Sequence, residues 1–323
     1  MKAVHYSRNG GPEVMEYGEL PDPQVGADTV LIAVEWISIE GGDLLNRLVS
    51  PPSHTPFIPG YQASGTVVAV GDAVNRFKPG DRVIGFNWNG SHAELFAVPE
   101  RYAYPVPDGL DLRLASLIPV AFGTAHDSLF EYGEMKPGDF VLVQGAAGGV
   151  GLAAVQFASK AGATVIGTAS GKERLERIVP FGLHHGIDYR NEDIAERCRE
   201  ITGGKGVDLV LDLAGGQGKD ALLRAVKPHG RYAVIGAATG TLPSFTFFEL
   251  IRKALHVVGI SFGRDMHTPR VHELLAEITR QVTDGTLQMP VAAEFALADA
   301  VEAHRYVAEE HPFGRVLLKV PSR

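Results

Sequence analysis

Cysteine is almost absent: Cys198 stands alone in 323 residues. No disulfide can close within the chain, and no cysteine-built metal centre can form in it. Long apolar runs are missing too, none approaching the roughly 20 residues that span a bilayer, so no membrane partner is expected. The opening Met1-Lys-Ala-Val-His-Tyr6 lacks a charged leader followed by an apolar stretch, so no signal peptide is expected and a cytoplasmic location is. Basic excess is lacking as well: 30 Lys and Arg face 38 Asp and Glu, a net charge of −8. That balance gives no electrostatic reason to bind nucleic acid. Repeats and low-complexity segments are not visible. What remains is 45% apolar and 21% charged, the composition of a soluble globular protein. A chain this long exceeds the usual size of one core, which predicts two domains.

The chain is organised around Phe140-Val-Leu-Val-Gln-Gly-Ala-Ala-Gly-Gly-Val-Gly-Leu-Ala-Ala-Val-Gln-Phe157. Phe140 to Val143 reads as a strand buried on both faces. A tight turn follows from Gly145 to Gly151, and then a helix carrying Val150, Leu152, Ala153, Val155 and Phe157. Gly145, Gly148 and Gly151 recur at three-residue spacing, with Gly149 adding room. Small residues let the backbone approach a pyrophosphate, and the helix N-terminus offers free N–H donors with a partial positive charge. Taken alone, the stretch also reads as a packing turn between strand and helix.

Before it, residues 1 to about 120 read as short strands and turns. Thr29 to Glu35 and Ala63 to Val70 are strand candidates, and Pro79-Gly80 turns the chain before Arg82 to Gly85. A compact β-rich domain is predicted, built as a partly closed barrel. From about Ile118 strands and helices alternate. A helix over Thr124 to Tyr132 precedes the opening strand. Strands are predicted at Ala163–Thr168, Gly186–Tyr189, Val207–Leu213, Arg231–Ile235 and His256–Ser261. Helices are predicted at Lys172–Phe181, Asp193–Ile201, Lys219–Val226 and Phe247–Ala254. With the opening strand this makes a doubly wound parallel sheet of order 3-2-1-4-5-6. The tail abandons the alternation: helix at Val271–Asp284, extended chain at Ala292–Ala296, helix at Leu297–Glu309 and strand at Val316–Val320. The expected division is therefore 1–121 with 265–323 for the β-rich domain and 122–264 for the sheet domain inserted in it. Ligands favour the cleft between such domains.

Several motifs, in order along essentially the whole chain, resemble zinc-independent quinone oxidoreductases of the zeta-crystallin type, in the medium-chain dehydrogenase/reductase superfamily. They are Gly10-Gly-Pro-Glu-Val14, Pro59-Gly-Tyr-Gln-Ala-Ser-Gly65, Phe77-Lys-Pro-Gly-Asp-Arg-Val83, Gly145-Ala-Ala-Gly-Gly-Val-Gly151, Gly204-Lys-Gly-Val-Asp208 and Phe313-Gly-Arg-Val-Leu-Leu-Lys319. The resemblance implies an α/β fold in which a Rossmann sheet is inserted in a GroES-like, β-rich, partly closed barrel domain. It also implies NADPH as cofactor and a homodimer joined through the last Rossmann strand, His256 to Ser261. The same strand also reads as an edge covered by a loop.

An NAD-selective site places Asp or Glu about 20 residues after the glycine loop. Here the second strand ends Val165-Ile-Gly-Thr-Ala-Ser-Gly-Lys-Glu-Arg174, with no carboxylate at its tip. Ser170 can donate a hydroxyl and Lys172 can face a phosphate as a point charge. By resemblance Tyr189 lies beside the same phosphate, so NADPH is expected. Ser170 also reads as a helix cap with Lys172 solvated. Together with Gly148, Gly149, Val150 and Gly151, the expected cofactor residues are Thr124, near the nicotinamide by resemblance, and Gly236 and Phe262, at strand ends.

Zinc-dependent relatives hold their metal with a cysteine and a Gly-His-Glu histidine. The matching positions here are Ser38-Ile-Glu-Gly-Gly42 and Gly60-Tyr-Gln62, which offer neither ligand, so no metal is expected. Without a Lewis acid, hydride delivery to an electrophilic acceptor is expected over alcohol oxidation. The acceptor is a quinone, or the double bond of an enone or enal. A cofactor-binding sensor without turnover is the reading from another class. Many relatives carry Asn-Pro-x-Asp-x-Tyr-x-Arg where this chain has Glu40-Gly-Gly-Asp-Leu-Leu-Asn-Arg47. Asp43 and Arg47 match and can pair at i, i+4. Glu40 stands in place of the asparagine and Leu45 in place of the tyrosine. The pocket candidates are Glu40, Asn46, Tyr61, Gln62 and Trp88; the last four read more readily as packing or surface than as catalytic, and no catalytic acid is assigned.

Overall fold

The computed structural model describes residues 1–321, apart from the side chain of Gln217. The chain falls into two compact units, Met1–Gly123 with Gly263–Arg323, and Thr124–Phe262. No helix among the described residues is long and apolar enough to cross a membrane.

The first unit opens with an antiparallel pair, β1 (Lys2–His5) and β2 (Glu16–Glu19). Next comes β3 (Thr29–Ser38), rich in the branched side chains that suit a pleated, buried surface. Helix α1 (Gly41–Val49) follows it. β3 pairs antiparallel with β4 (Gln62–Val70), which passes to β5 (Arg82–Phe86); β3 also takes β6 (Leu95–Pro99), and β5 takes β7 (Ala103–Pro105). A short α2 (Leu112–Ala115) and a π-helical turn, Ile118–Phe122, close this part of the chain.

Helix α3 (Gly123–Leu129) leads into the second unit. There β8 (Phe140–Val143), α4 (Gly149–Lys160), β9 (Thr164–Ala169), α5 (Lys172–Glu176), β10 (His185–Asp188), α6 (Ile194–Ile201), β11 (Val207–Asp212), α7 (Lys219–Ala225), β12 (Val226–Val234), α8 (Phe247–Ile251) and β13 (His256–Gly259) alternate. All neighbours pair in parallel, and the sheet runs β10-β9-β8-β11-β12-β13. That is the order 3-2-1-4-5-6 predicted from the alternation. α4 buries residues on every side, including Leu152, Ala154, Val155 and Ala158, as a helix in a covered layer must.

The chain then completes the first unit with α9 (Pro269–Thr283), β14 (Val291–Ala296), α10 (Ala300–Glu310) and β15 (Arg315–Lys319). β15 joins β14 in parallel and β3 antiparallel, so the sheet is a path β14-β15-β3-β4-β5-β7 with β6 on β3. Among the described residues its two ends are not paired to one another, and the strands do not close into a barrel. The core of this unit includes Ile32, Ile37, Val67, Phe96, Val98 and Leu318.

Several predicted boundaries shift for local reasons. The helix expected to reach Phe181 stops at Glu176, and Pro180 sits in a separate 3-10 turn, Val179–Phe181. Asp193 is not the first helical residue but the cap of α6, accepting the Glu196 amide at 2.9 Å. The helix from Phe247 ends at Ile251, shortly before Ala254 turns left-handed at φ +48°. β12 begins at Val226 rather than Arg231, running through an irregular Pro-His-Gly stretch in which His229 takes φ +57°.

Candidate functional site

In the second unit, β8 delivers the chain to a turn where three glycines answer three different demands. Gly145 has φ +70°, a conformation side chains disfavour. At Gly151 an added Cβ would lie 2.4 Å from the Gly145 carbonyl oxygen and 2.8 Å from Ala146 Cα, so turn and helix pack only around a bare α-carbon. Gly148 differs: its backbone is ordinary extended chain, and an added Cβ would meet nothing nearer than 3.6 Å. Neither strain nor packing requires glycine there, which leaves open space beside the backbone. The turn is pinned by Thr168, whose Oγ1 accepts the Gly145 amide at 3.2 Å and whose carbonyl accepts that of Ala146 at 3.0 Å. Gly148 is the N-cap of α4 and no side chain caps the helix. The first-turn amides of Gly149, Val150 and Gly151 therefore have no intrahelical acceptor and carry the positive end of the helix dipole. A pyrophosphate fits this cradle.

Ser170 and Tyr189 follow the paired ends of β9 and β10, and Lys172 opens α5. Tyr189 is half exposed and its amide donates to the Ala169 carbonyl at 3.4 Å, while Lys172 is extended into solvent, 3.8 Å from Glu176. The cap of α5 is Gly171 at φ +85°, not Ser170. Sequence reasoning missed Asp188, which brings a carboxylate to this tip from β10. Its Oδ1 accepts the amides of Gly171 at 2.9 Å and Arg190 at 3.2 Å, and its Oδ2 accepts from Asn191 at 2.6 Å. The Gly171 amide first, then Asn191, hold its pKa below the ordinary carboxylate range. The signal was available: a 3-2-1 order sets the third strand beside the second. Of the remaining residues, Thr124 lies on α3 and its carbonyl accepts the Ser128 hydroxyl at 2.6 Å. The Gly236 amide donates to the Asp212 carbonyl at 3.2 Å, and Phe262 is buried in a 3-10 turn.

The pocket candidates of the first unit separate into two groups. Glu40 and Gln62 are buried and bonded to each other, Gln62 Nε2 donating to Glu40 Oε1 at 2.9 Å. Gln62 also donates to the Ser116 carbonyl and accepts the Val120 amide, each at 2.9 Å, so both its amide nitrogen and its oxygen are engaged. Glu40 Oε1 accepts the Ser38 hydroxyl at 2.9 Å and forms an ion pair with Arg315. Burial pushes the Glu40 pKa up and the Arg315 charge opposes that rise. Ser38, the Ile39 carbonyl and Glu40 thus hold a cation that the chain itself supplies. Among the described residues no group of three or more His, Cys, Asp or Glu side chains gathers as metal ligands.

Asp43 and Arg47 do not pair as expected. Asp43 Oδ2 accepts the Glu40 amide at 2.8 Å, and burial pushes the Asp43 carboxyl up to about 8. Arg47 turns away to donate to His304 Nδ1 at 2.6 Å and to the Gly10 carbonyl at 3.3 Å. Beyond it lies a buried pair the sequence did not reveal, His304 against His92.

The second group is partly open. Tyr61 and Asn46 are half-buried, and Trp88 is 47% exposed. Asn46 Nδ2 donates to the Tyr61 hydroxyl oxygen at 2.6 Å. Trp88 stands edge-on to Tyr61, with ring centres 6.5 Å apart, and to Phe86 at 5.6 Å.

Two family models match the chain, an alcohol dehydrogenase GroES-like domain over residues 26–108 and a zinc-binding dehydrogenase over 149–279. The chain is 31% identical to a quinone oxidoreductase of Pseudomonas aeruginosa, across 98% of this chain and 99% of that protein. It is 32% identical to a 2-haloacrylate reductase of a Burkholderia species, covering 98% of each. The crystal structure of Escherichia coli quinone oxidoreductase complexed with NADPH superposes with a TM-score of 0.94 at 28% identity, over 99% of this chain and 100% of that one. The chain belongs to the medium-chain dehydrogenase/reductase superfamily, in its zinc-independent quinone oxidoreductase branch.

Proposed function

We propose that this member of the quinone oxidoreductase branch binds NADPH and uses it to reduce quinones. The observation that carries the reading is the uncapped amino end of α4, with open space at Gly148. The amides of Gly149, Val150 and Gly151 would hold the pyrophosphate. Ser170, Lys172 and Tyr189 would receive the phosphate on the adenosine ribose. Asp188 does not compete for that place, because its oxygens are taken by Gly171, Arg190 and Asn191. Thr124, Gly236 and Phe262 are assigned to the nicotinamide side. The bound NADPH supplies the hydride; the chain binds it and orients the acceptor. The NADPH held by the similar Escherichia coli enzyme supports the same choice.

For the acceptor, the half-exposed Trp88 beside Tyr61 and Phe86 suits a flat conjugated ring. Similarity to the 2-haloacrylate reductase favours a second reading, hydride addition to the double bond of an activated alkene. NADPH oxidation measured with benzoquinone, naphthoquinone, 2-alkenals and a blank separates the two. Turnover with quinones is expected, whereas turnover with alkenals alone would transfer the reading to the second.

A homodimer through β13 is part of the same proposal. The strand ends the sheet, and Phe247, Phe248 and Ile251 of α8 are exposed. Sedimentation of the purified chain should give twice its 34.6 kDa mass; a monomer at micromolar concentration would contradict it. A cytoplasmic location is proposed from the single, buried Cys198, and cell fractionation tests it.

A further inference from the structure

We infer that Tyr61 is the hydrogen-bond donor to the acceptor's carbonyl oxygen, held in place by Asn46 and Gly42. The assignment rests on the reductase reading above. It starts from the chain around Pro59-Gly60. Gly60 has φ +99°, and a Cβ there would lie 2.0 Å from His92 Nδ1. That tight turn is fastened to the following loop by backbone bonds. The Gly90 amide donates to the Ile58 carbonyl at 2.9 Å, His92 to Pro59 at 3.1 Å, Ser91 to Gly60 at 3.2 Å and Asn87 to Tyr61 at 2.8 Å. Four bonds over four residues fix where the Tyr61 ring leaves the backbone.

The ring then lies across α1. Gly42 and Asn46 stand one turn apart on the same face of that helix. A Cβ at Gly42 would lie 2.5 Å from Tyr61 Cε2 and 2.8 Å from its hydroxyl oxygen, so the ring occupies the place of the missing side chain. Asn46 donates to the hydroxyl oxygen at 2.6 Å, which uses a lone pair and leaves the proton. No acceptor for that proton is found among the described residues. A hydroxyl oriented by one donor, with its own hydrogen unused, beside a half-exposed indole, is a donor awaiting an oxygen.

The step balances as follows. Hydride adds to a carbon conjugated with the acceptor's carbonyl, and the displaced electron pair moves onto the carbonyl oxygen. The Tyr61 O–H bonds to that developing oxyanion, and water supplies the proton that completes the reduced product. Burial, and secondly the Asp43 charge, raise the Tyr61 pKa well above that of a free phenol. The group therefore stays protonated, as a stabiliser of charge rather than a proton source.

The test compares Tyr61→Phe, which removes only the hydroxyl, and Asn46→Leu with wild type. Reduction of benzoquinone should fall about 100-fold in kcat for Tyr61→Phe, the scale of one oxyanion donor. NADPH affinity by fluorescence titration and the melting temperature should stay unchanged. Asn46→Leu should show a smaller loss in kcat with the same controls. A second arm needs no turnover: 4-nitrophenolate, a stable aryl oxyanion, is titrated onto the NADP⁺-loaded protein. Wild type should bind it at least 10-fold more tightly than Tyr61→Phe. Quinone turnover that survives Tyr61→Phe within threefold overturns the assignment and leaves the reductase reading standing. Absence of any wild-type turnover removes the reductase reading. The nitrophenolate comparison then decides the assignment, which equal binding by the two proteins overturns.

Discussion

The Nε2 atoms of His92 and His304 lie 3.0 Å apart, and neither residue reaches the surface. Arg47 has only donors to offer, so His304 Nδ1 accepts from it at 2.6 Å. The His304 proton then sits on Nε2 and points at His92 Nε2, which must be bare. The His92 proton sits on Nδ1, 3.4 Å from the Ser91 hydroxyl. Protonating His92 would set two N–H groups face to face, beside a guanidinium.

Stability should therefore decline in mild acid. Burial first, and then Arg47, depress the His92 pKa to about 3; burial, His92 and Arg47 drive His304 well below its ordinary value. In the unfolded chain both rings titrate near 6.5, so below that pH the unfolded state takes up protons that the folded state refuses. The contribution is fully present above pH 6.5 and is lost towards pH 3, at about 1.4 kcal/mol per pH unit for each ring. Asp43, raised to about 8, acts with the opposite sign and is common to every variant compared. Urea unfolding of wild type and His304→Gln at pH 7.5 and 5.5 isolates the pair: wild type should lose more stability than the variant. Equal losses would contradict the assignment of neutral rings.

The ion pair of Glu40 and Arg315 makes a different demand. Both are buried, and Arg315 also donates to the Ser38 hydroxyl through Nε at 3.2 Å and through a terminal nitrogen at 3.1 Å. Deleting one partner leaves an uncompensated charge, which costs about 3–5 kcal/mol in such settings. Arg315→Ala should lower the unfolding free energy measured by chemical denaturation by that amount. Arg315→Met with Glu40→Leu together should recover much of the loss. A single variant as stable as wild type would show that the pair is not a structural tie.

These two clusters mark the limit of what the sequence discloses. β8, its glycine turn and the parallel strand order were legible because each leaves a local signature: an apolar run, small residues in a turn, alternating periods. Tyr61, Asn46 and Trp88 were visible as candidates, but not the bond between Asn46 and Tyr61. Arg315 reaches Glu40, and His304 reaches His92, from the far end of the chain, and no spacing encodes such a meeting. Asp188 was hidden for a related reason. Its carboxylate serves the tip of β9 from the adjacent strand, so a count of residues along one strand passes over it.

Cofactor preference should depend on Lys172. Its side chain is 89% exposed and 3.8 Å from Glu176, a weak, screened pair. It is therefore free to turn towards a phosphate as a mobile point charge. Lys172→Ala should raise the KM for NADPH about 10-fold, a loss of about 1.4 kcal/mol, with that for NADH unchanged. The effect should shrink at high salt, as exposed charge contacts do. An equal rise for both cofactors would remove Lys172 from the phosphate site.

Gly148 and Gly151 allow cofactor binding to be separated from folding. At Gly151 a methyl group would lie 2.4 Å from the Gly145 carbonyl oxygen, inside backbone that the Thr168 bonds hold still. Gly151→Ala should therefore destabilise the fold, by about 1–3 kcal/mol as overpacking does. At Gly148 the same methyl would meet nothing closer than 3.6 Å, and the backbone is already one that alanine adopts. Gly148→Ala should leave the unfolding free energy within about 0.5 kcal/mol of wild type, the range of substitutions that disturb no packing. It would nonetheless place a methyl group where the pyrophosphate is proposed to approach the α4 amides. NADPH binding to the unmelted variant, followed by fluorescence titration, should weaken about 10-fold or more, roughly 1.4 kcal/mol. Unchanged affinity in Gly148→Ala would mean that the dinucleotide does not lie on this turn, and the cofactor site would have to be sought elsewhere.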